Sequence, residues 1–162
     1  MVLSSTSGRF LRRPKEIVVL VLRLLVGGLL AVTAVGKGLD LQGFARVVGT
    51  YQVLPAPLWM PVAVFMTGVE GGLAVWLFAG RRLAQAGWAA AALHLGFLSW
   101  AGLALARGLE IPNCGCFGVF WARPLTLGTL VEDAVMVTVC VLLAGLARSP
   151  GAPHHQESSE AV

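Results

Sequence analysis

The chain has 162 residues, 57% hydrophobic and 12% charged, with a mean hydropathy of +0.80, a balance that excludes an ordinary soluble globular domain. This length accommodates about four apolar spans of roughly 20 residues with short loops and tails, and no soluble domain of useful size. The net charge of +4 does not point to nucleic acid, because the basic residues stand at the ends of apolar runs and form no patch interleaved with aromatics.

Residues 1–16 form a basic N-terminus carrying Arg9, Arg12, Arg13 and Lys15. The apolar run from Ile17 to Val35 follows, giving a predicted first span over 17–36. Val32-Thr33-Ala34 resembles a signal-peptide cleavage site. However, the run is longer than a signal-peptide core of roughly 7–15 residues and contains Arg23, so a retained transmembrane helix is expected. After Lys37, Leu41, Phe44, Val47, Val48, Tyr51 and Leu54 recur at spacings of three and four, which predicts a short interfacial helix in the first outer loop.

Pro55, Pro57 and Pro61 lead into a second span over 58–79, where Gly68, Gly71 and Gly72 permit close helix packing. Gly80-Arg81-Arg82 is a basic turn before the third span, 83–106. A cysteine-bearing loop precedes the fourth span, 125–147, and residues 148–162 form a polar tail expected to be disordered. The predicted fold is therefore all-α, a polytopic membrane protein with a four-transmembrane-helix bundle over 17–147.

Arg9, Arg12, Arg13, Lys15, Arg81, Arg82 and Arg148 would lie on one side of the membrane, against Lys37, Arg46, Arg107 and Arg123 on the other. The positive-inside rule then puts both termini in the cytoplasm and the cysteine loop outside, where disulfides persist.

The chemistry is concentrated in Asn113-Cys114-Gly115-Cys116-Phe117-Gly118. Exposed loop cysteines are uncommon unless their reactivity is used. A disulfide across one intervening residue closes a very small ring, which favours exchange over structural stapling. Thiol–disulfide exchange by Cys114 and Cys116, copper(I) binding and a merely structural pair all remain open. No zinc site is expected, since the outer loops offer no third cysteine and no histidine, and His154 and His155 belong to the cytoplasmic tail. Cys140 falls about 10 Å into the membrane from the cytoplasmic end of span four and reads as an apolar core residue.

Intramembrane charges are the second signal. Counted from the cytoplasmic ends of the spans, Arg23 lies at about 9 Å, Glu70 at about 13 Å, His94 at about 16 Å and Asp133 at about 21 Å. Such groups are costly unless paired or facing a polar cavity. Arg23 and Glu70 are expected to pair, and Lys37 to reach Asp133. The set reads either as a salt-bridged core fixing helix register or as a polar path that moves protons while the thiols exchange electrons, with His94 as the shuttle. Phe117, Phe120 and Trp121 are candidates for one wall of a quinone site, and otherwise serve with Trp59 and Trp100 as interfacial anchors.

Arg23, Gly36-Lys37, Tyr51 with Leu54-Pro55, Glu70-Gly71 and the pentad Cys114-Gly115-Cys116-Phe117-Gly118 together resemble the MauE family of methylamine-utilisation membrane proteins, itself similar to the DoxX-like group. The resemblance covers roughly 17–147 and implies a four-helix bundle in the bacterial cytoplasmic membrane. It also implies a part in maturing the disulfide-rich small subunit of methylamine dehydrogenase, or another extracytoplasmic client, with a thioredoxin-like protein as partner. On this basis Cys114 and Cys116 would be the redox pair, and Arg23, Lys37, Glu70 and Asp133 would be core positions. Separately, a thiol–disulfide oxidoreductase that passes electrons to a membrane quinone, as four-helix disulfide-generating enzymes do, is the more enzyme-like form of the exchange reading. The alternatives are a copper(I)-binding or transport subunit and a non-catalytic membrane assembly factor.

Overall fold

The structure, a computed structural model, describes residues 7–148, with side chains from residue 14 onward. The expected disorder of the tail, with His154 and His155, concerns residues outside this range except for Arg148.

Among the described residues the chain is all helical. Helix α1 spans Ser7–Leu39, α2 Leu41–Thr50, α3 Trp59–Ala79, α4 Leu83–Ala106 and α5 Leu127–Ala147, with one 3-10 turn at Ala56–Leu58. Four helical stretches are long and apolar enough to cross a membrane: Pro14–Leu39, Ala56–Ala79, Leu83–Ala106 and Leu127–Ala147. Helix α1 starts well ahead of residue 17 because Arg9 to Lys15 contain no helix breaker except Pro14, which the helix incorporates.

Each helix end has a local cause. Asp40 separates α1 from α2 and caps α2, its Oδ1 accepting from the Gly43 N–H at 2.7 Å. Gly80 closes α3 in the left-handed region at φ +71°, its N–H bonding the Trp76 and Leu77 carbonyls. Thr126 and Thr129 form a reciprocal capping box at the start of α5.

The helices pack mainly as two pairs, α1 with α3 and α4 with α5. The α1–α3 register is visible in three contacts: Gly27 against Leu77 and Phe78, Gly71 against Ala34, and Gly38 against Thr67. The α4–α5 pair is closest at Gly87, where an added β-carbon would lie 2.9 Å from the Ala144 nitrogen; small residues here let backbones approach without lipid between them. The half of the bundle away from the cysteine loop has an apolar core that includes Val26, Leu77, Ala90, Cys140 and Leu143. A second cluster forms the cap, where Phe44, Val47, Val48 and Tyr51 of the α2 segment bury their apolar face on the bundle and on Ile111 and Leu125 of the cysteine loop.

Candidate functional site

The cysteine loop is pinned at several points. Two backbone bonds join its limbs, Cys114 N–H to Arg123 O at 2.7 Å and Leu125 N–H to Ile111 O at 2.9 Å. Asn113 organises the turn: its Oδ1 accepts from Gly115 N–H at 2.9 Å and its Nδ2 donates to Gly118 O at 3.1 Å. The Tyr51 hydroxyl donates to the Cys114 carbonyl at 2.7 Å, and burial, then the nearby Cys114, Cys116 and Asp133 charges, raise its pKa, so it stays a donor. Arg107 donates to the Tyr51 carbonyl at 3.1 Å. Gly118, at φ +72°, lies so close to α1 that a β-carbon would meet the Gly36 carbonyl oxygen at 2.5 Å. Only glycine satisfies both the dihedral and the contact.

Cys114 and Cys116 are free thiols with sulfurs 3.1 Å apart, within hydrogen-bond reach and beyond the roughly 2.05 Å of a disulfide. Their environments are unequal. The Cys114 pKa is lowered to about 6, chiefly by the Cys116 side-chain hydrogen bond, with help from the Cys116 backbone and Arg123 against burial. Cys116 is driven upward by its hydrogen bond with Cys114, by burial and by the Cys114 and Asp133 charges. The asymmetry favours a thiolate on Cys114, stabilised by a thiol on Cys116.

Below the thiols a cavity of about 420 Å³ lies between the two helix pairs, roofed by the α2 segment and the cysteine loop. Lys37, Glu70, His94 and Asp133 line it. The Lys37 ammonium donates to Glu70 Oε1, both side chains being almost fully buried. It also lies 5.2 Å from the Phe44 ring centre and 5.1 Å from that of Phe97, a cation–π arrangement that compensates its desolvation. His94 Nδ1 is 3.8 Å from Asp133 Oδ1. The Thr33 hydroxyl donates to the Leu30 carbonyl at 3.0 Å. Glu70 Oε2 and both ring nitrogens of His94 have no hydrogen-bond partner. No group of three or more His, Cys, Asp or Glu able to hold a metal ion occurs among the described residues.

The family model for methylamine utilisation protein MauE matches residues 15–146, which include both loop cysteines and every polar cavity residue. The chain belongs to the MauE family. The methylamine utilization protein MauE of Paracoccus denitrificans is 29% identical over 123 residues, which is 76% of this chain and 66% of that protein. The chain thus matches just under two thirds of the relative's length. No solved structure matches. Family membership and the four candidate spans make this a multi-pass membrane protein.

In this MauE-family bundle the expected charge pairs are rearranged. Arg23 does not pair with Glu70. Its Nη2 donates to the Phe78 carbonyl at 2.6 Å, capping the C-terminus of α3 where the helix dipole favours a cation. The antiparallel register sets Gly27 level with Phe78, so Arg23 lies at the end of α3 and Glu70 near Lys37. Depths counted from residue 17 missed this offset because α1 begins at Ser7. Nor does Lys37 pair with Asp133: Glu70 takes its ammonium, and Asp133 faces His94. Glu132, beside Asp133, binds Arg123 at 2.6 Å.

The aromatic wall also differs. Phe117 lines the cavity, but Phe120 and Trp121 are 68% and 67% exposed, and Trp121 packs on Phe117 with centroids 5.6 Å apart. Phe44, Phe97 and Trp100 line the cavity instead; they are spread over α2 and α4, so no local spacing reveals them. Asn113 and Arg123 also act on the thiols. An asparagine two residues before a glycine was the available signal for the first, whereas Arg123 could be read only as a topology charge.

Proposed function

We propose that this protein is a thiol–disulfide exchange factor of methylamine-utilisation type. It sits in a bacterial cytoplasmic membrane with both termini inside and the Cys114–Cys116 loop outside. Its client is the methylamine dehydrogenase small subunit or another disulfide-bearing extracytoplasmic protein, reached directly or through a thioredoxin-like partner.

The observation that carries this reading is the inequality of two sulfurs 3.1 Å apart on a pinned loop. A thiolate with a pKa near 6 is a competent nucleophile and leaving group at neutral pH, and a thiol at its side is placed to resolve a mixed disulfide. In the oxidised form, a client thiolate attacks the Cys114–Cys116 disulfide at Cys116 and releases Cys114 as the better leaving thiolate. A second client thiolate then attacks the client sulfur of the mixed disulfide and releases Cys116, which takes up a proton. The client gains a disulfide, and this chain is left as the thiolate–thiol pair. The name of the Paracoccus relative supports the methylamine connection.

The test is trapping in membranes. Challenged with a disulfide-bearing client, Cys114→Ser should trap a mixed disulfide, formed when Cys116 attacks the client disulfide and releases one client thiolate, and the double serine variant should lose function. A membrane-impermeant maleimide should label the loop from outside in intact cells. Full function in the double variant, with no trapped partner, would eliminate the proposal.

A further inference from the structure

Three polar atoms in the cavity are buried and unused. Glu70 Oε2, His94 Nδ1 and His94 Nε2 have no partner, although the two side chains are only 1% and 7% exposed. Buried polar groups are normally satisfied, and Asp133, at 3.8 Å from the imidazole, is beyond hydrogen-bonding distance. The remaining wall is apolar and aromatic, including Leu30, Phe97 and Trp100. The volume of about 420 Å³ falls within the roughly 300–1,000 Å³ usual for small-molecule sites. Val131 and Val135 line the cavity and are also 62% and 54% exposed on the outside of α5. Part of the cavity wall is therefore exposed apolar surface of α5, the kind of surface that faces lipid on a membrane-spanning helix.

An occupant entering there is lipid-soluble. It needs a flat body to pack on Phe97 and Trp100 and oxygen atoms to take hydrogen bonds from His94 and Lys37. The thiol pair forms the upper wall of the same cavity, so the occupant also meets two electron donors. We infer that the cavity binds a membrane quinone, which oxidises the Cys114–Cys116 pair. This rests on the exchange function proposed above and supplies its oxidant.

The step balances. The Cys114 thiolate and Cys116 thiol form the disulfide, giving up two electrons and the Cys116 proton. The quinone accepts both electrons and that proton, and takes a second proton from solvent by way of His94, leaving as the quinol. Lys37, held by Glu70, provides a fixed positive charge near the quinone oxygen on which negative charge develops.

The test uses the full chain, reduced, in nanodiscs, mixed anaerobically with decylubiquinone. One quinone should be reduced for each thiol pair lost, with a Cys114–Cys116 disulfide found by peptide mapping. Val135→Trp, at an exposed position in the cavity wall, should slow this oxidation several-fold. His94→Leu, which removes the donor, should raise the quinone concentration for half-maximal oxidation about tenfold, the worth of one hydrogen bond. The Cys114→Ser/Cys116→Ser variant should still bind decylubiquinone, read as quenching of tryptophan fluorescence. Thiols that exchange with a small disulfide peptide but resist the quinone, with no quenching in the double serine variant, would overturn the quinone site and leave the exchange function standing. Quinone binding with neither thiol oxidation nor peptide exchange would overturn both.

Discussion

Gly36 of α1 and Phe117 of the cysteine loop touch backbone to backbone: a β-carbon on Gly36 would stand 2.7 Å from the Phe117 carbonyl oxygen. This contact seats the thiol loop on the helix that carries Lys37. Because the obstructing atom belongs to backbone, it has no rotamer through which to yield. Gly36→Ala should lower stability by about 1–3 kcal/mol, the usual cost of overpacking, and should change the alkylation rates of both thiols. Denaturant unfolding in detergent and thiol-labelling kinetics check the two effects separately.

Lys37→Met should be among the most damaging single substitutions. It leaves the Glu70 carboxylate buried without its cation, which costs about 3–5 kcal/mol. Lys37→Met/Glu70→Leu removes both charges and should recover most of that loss. In a double-mutant cycle Lys37 and Glu70 should couple strongly, whereas Arg23 and Glu70 should be additive within about 0.5 kcal/mol. Strong Arg23–Glu70 coupling would contradict the register described here.

The thiol pair gives a pH signature. The thiolate is the reactive form, so alkylation of Cys114 should fall as pH drops through about 6 and be nearly flat above 7 to 8. The hydrogen bond from Cys116 is the largest cause of the lowered value. Cys116→Ala should therefore move the midpoint upward, toward the ordinary thiol value of about 8.5. Iodoacetamide labelling followed by mass spectrometry across this range measures both midpoints; equal midpoints in the two proteins would exclude a shared proton.

Asn113→Ala removes two side-chain hydrogen bonds within the loop, to Gly115 N–H and Gly118 O. A loss of about 1–3 kcal/mol in local stability is expected, confined to the loop because the helix pairs do not depend on Asn113. Hydrogen exchange should show faster exchange at Gly115 and Gly118 with little change in α4 and α5.

Much of this protein was legible along the chain because the membrane imposes a one-dimensional rule: apolar runs must be long enough to cross and must satisfy their own backbone. The predicted third span, 83–106, coincides with α4 at Leu83–Ala106, and the predicted second span, 58–79, begins one residue before α3 at Trp59–Ala79. The spacing of Phe44, Val47, Val48 and Tyr51 identified the short helix, and Cys114-Gly115-Cys116 stood out because nothing else in the chain placed paired thiols together.

Tertiary structure alone decided which charges meet. Depth is a single coordinate, whereas pairing depends on the register and rotation of neighbouring helices; Gly27 against Phe78 and Gly38 against Thr67 assign Glu70 to Lys37 and send Arg23 to the Phe78 carbonyl. It also decided the cavity, whose walls come from five helices and a loop. The inequality of the two cysteines has the same origin: their sequence contexts are nearly symmetric about Gly115, and their different pKa values come from burial, from each other and from Arg123, Asp133 and Lys37 brought close by the fold.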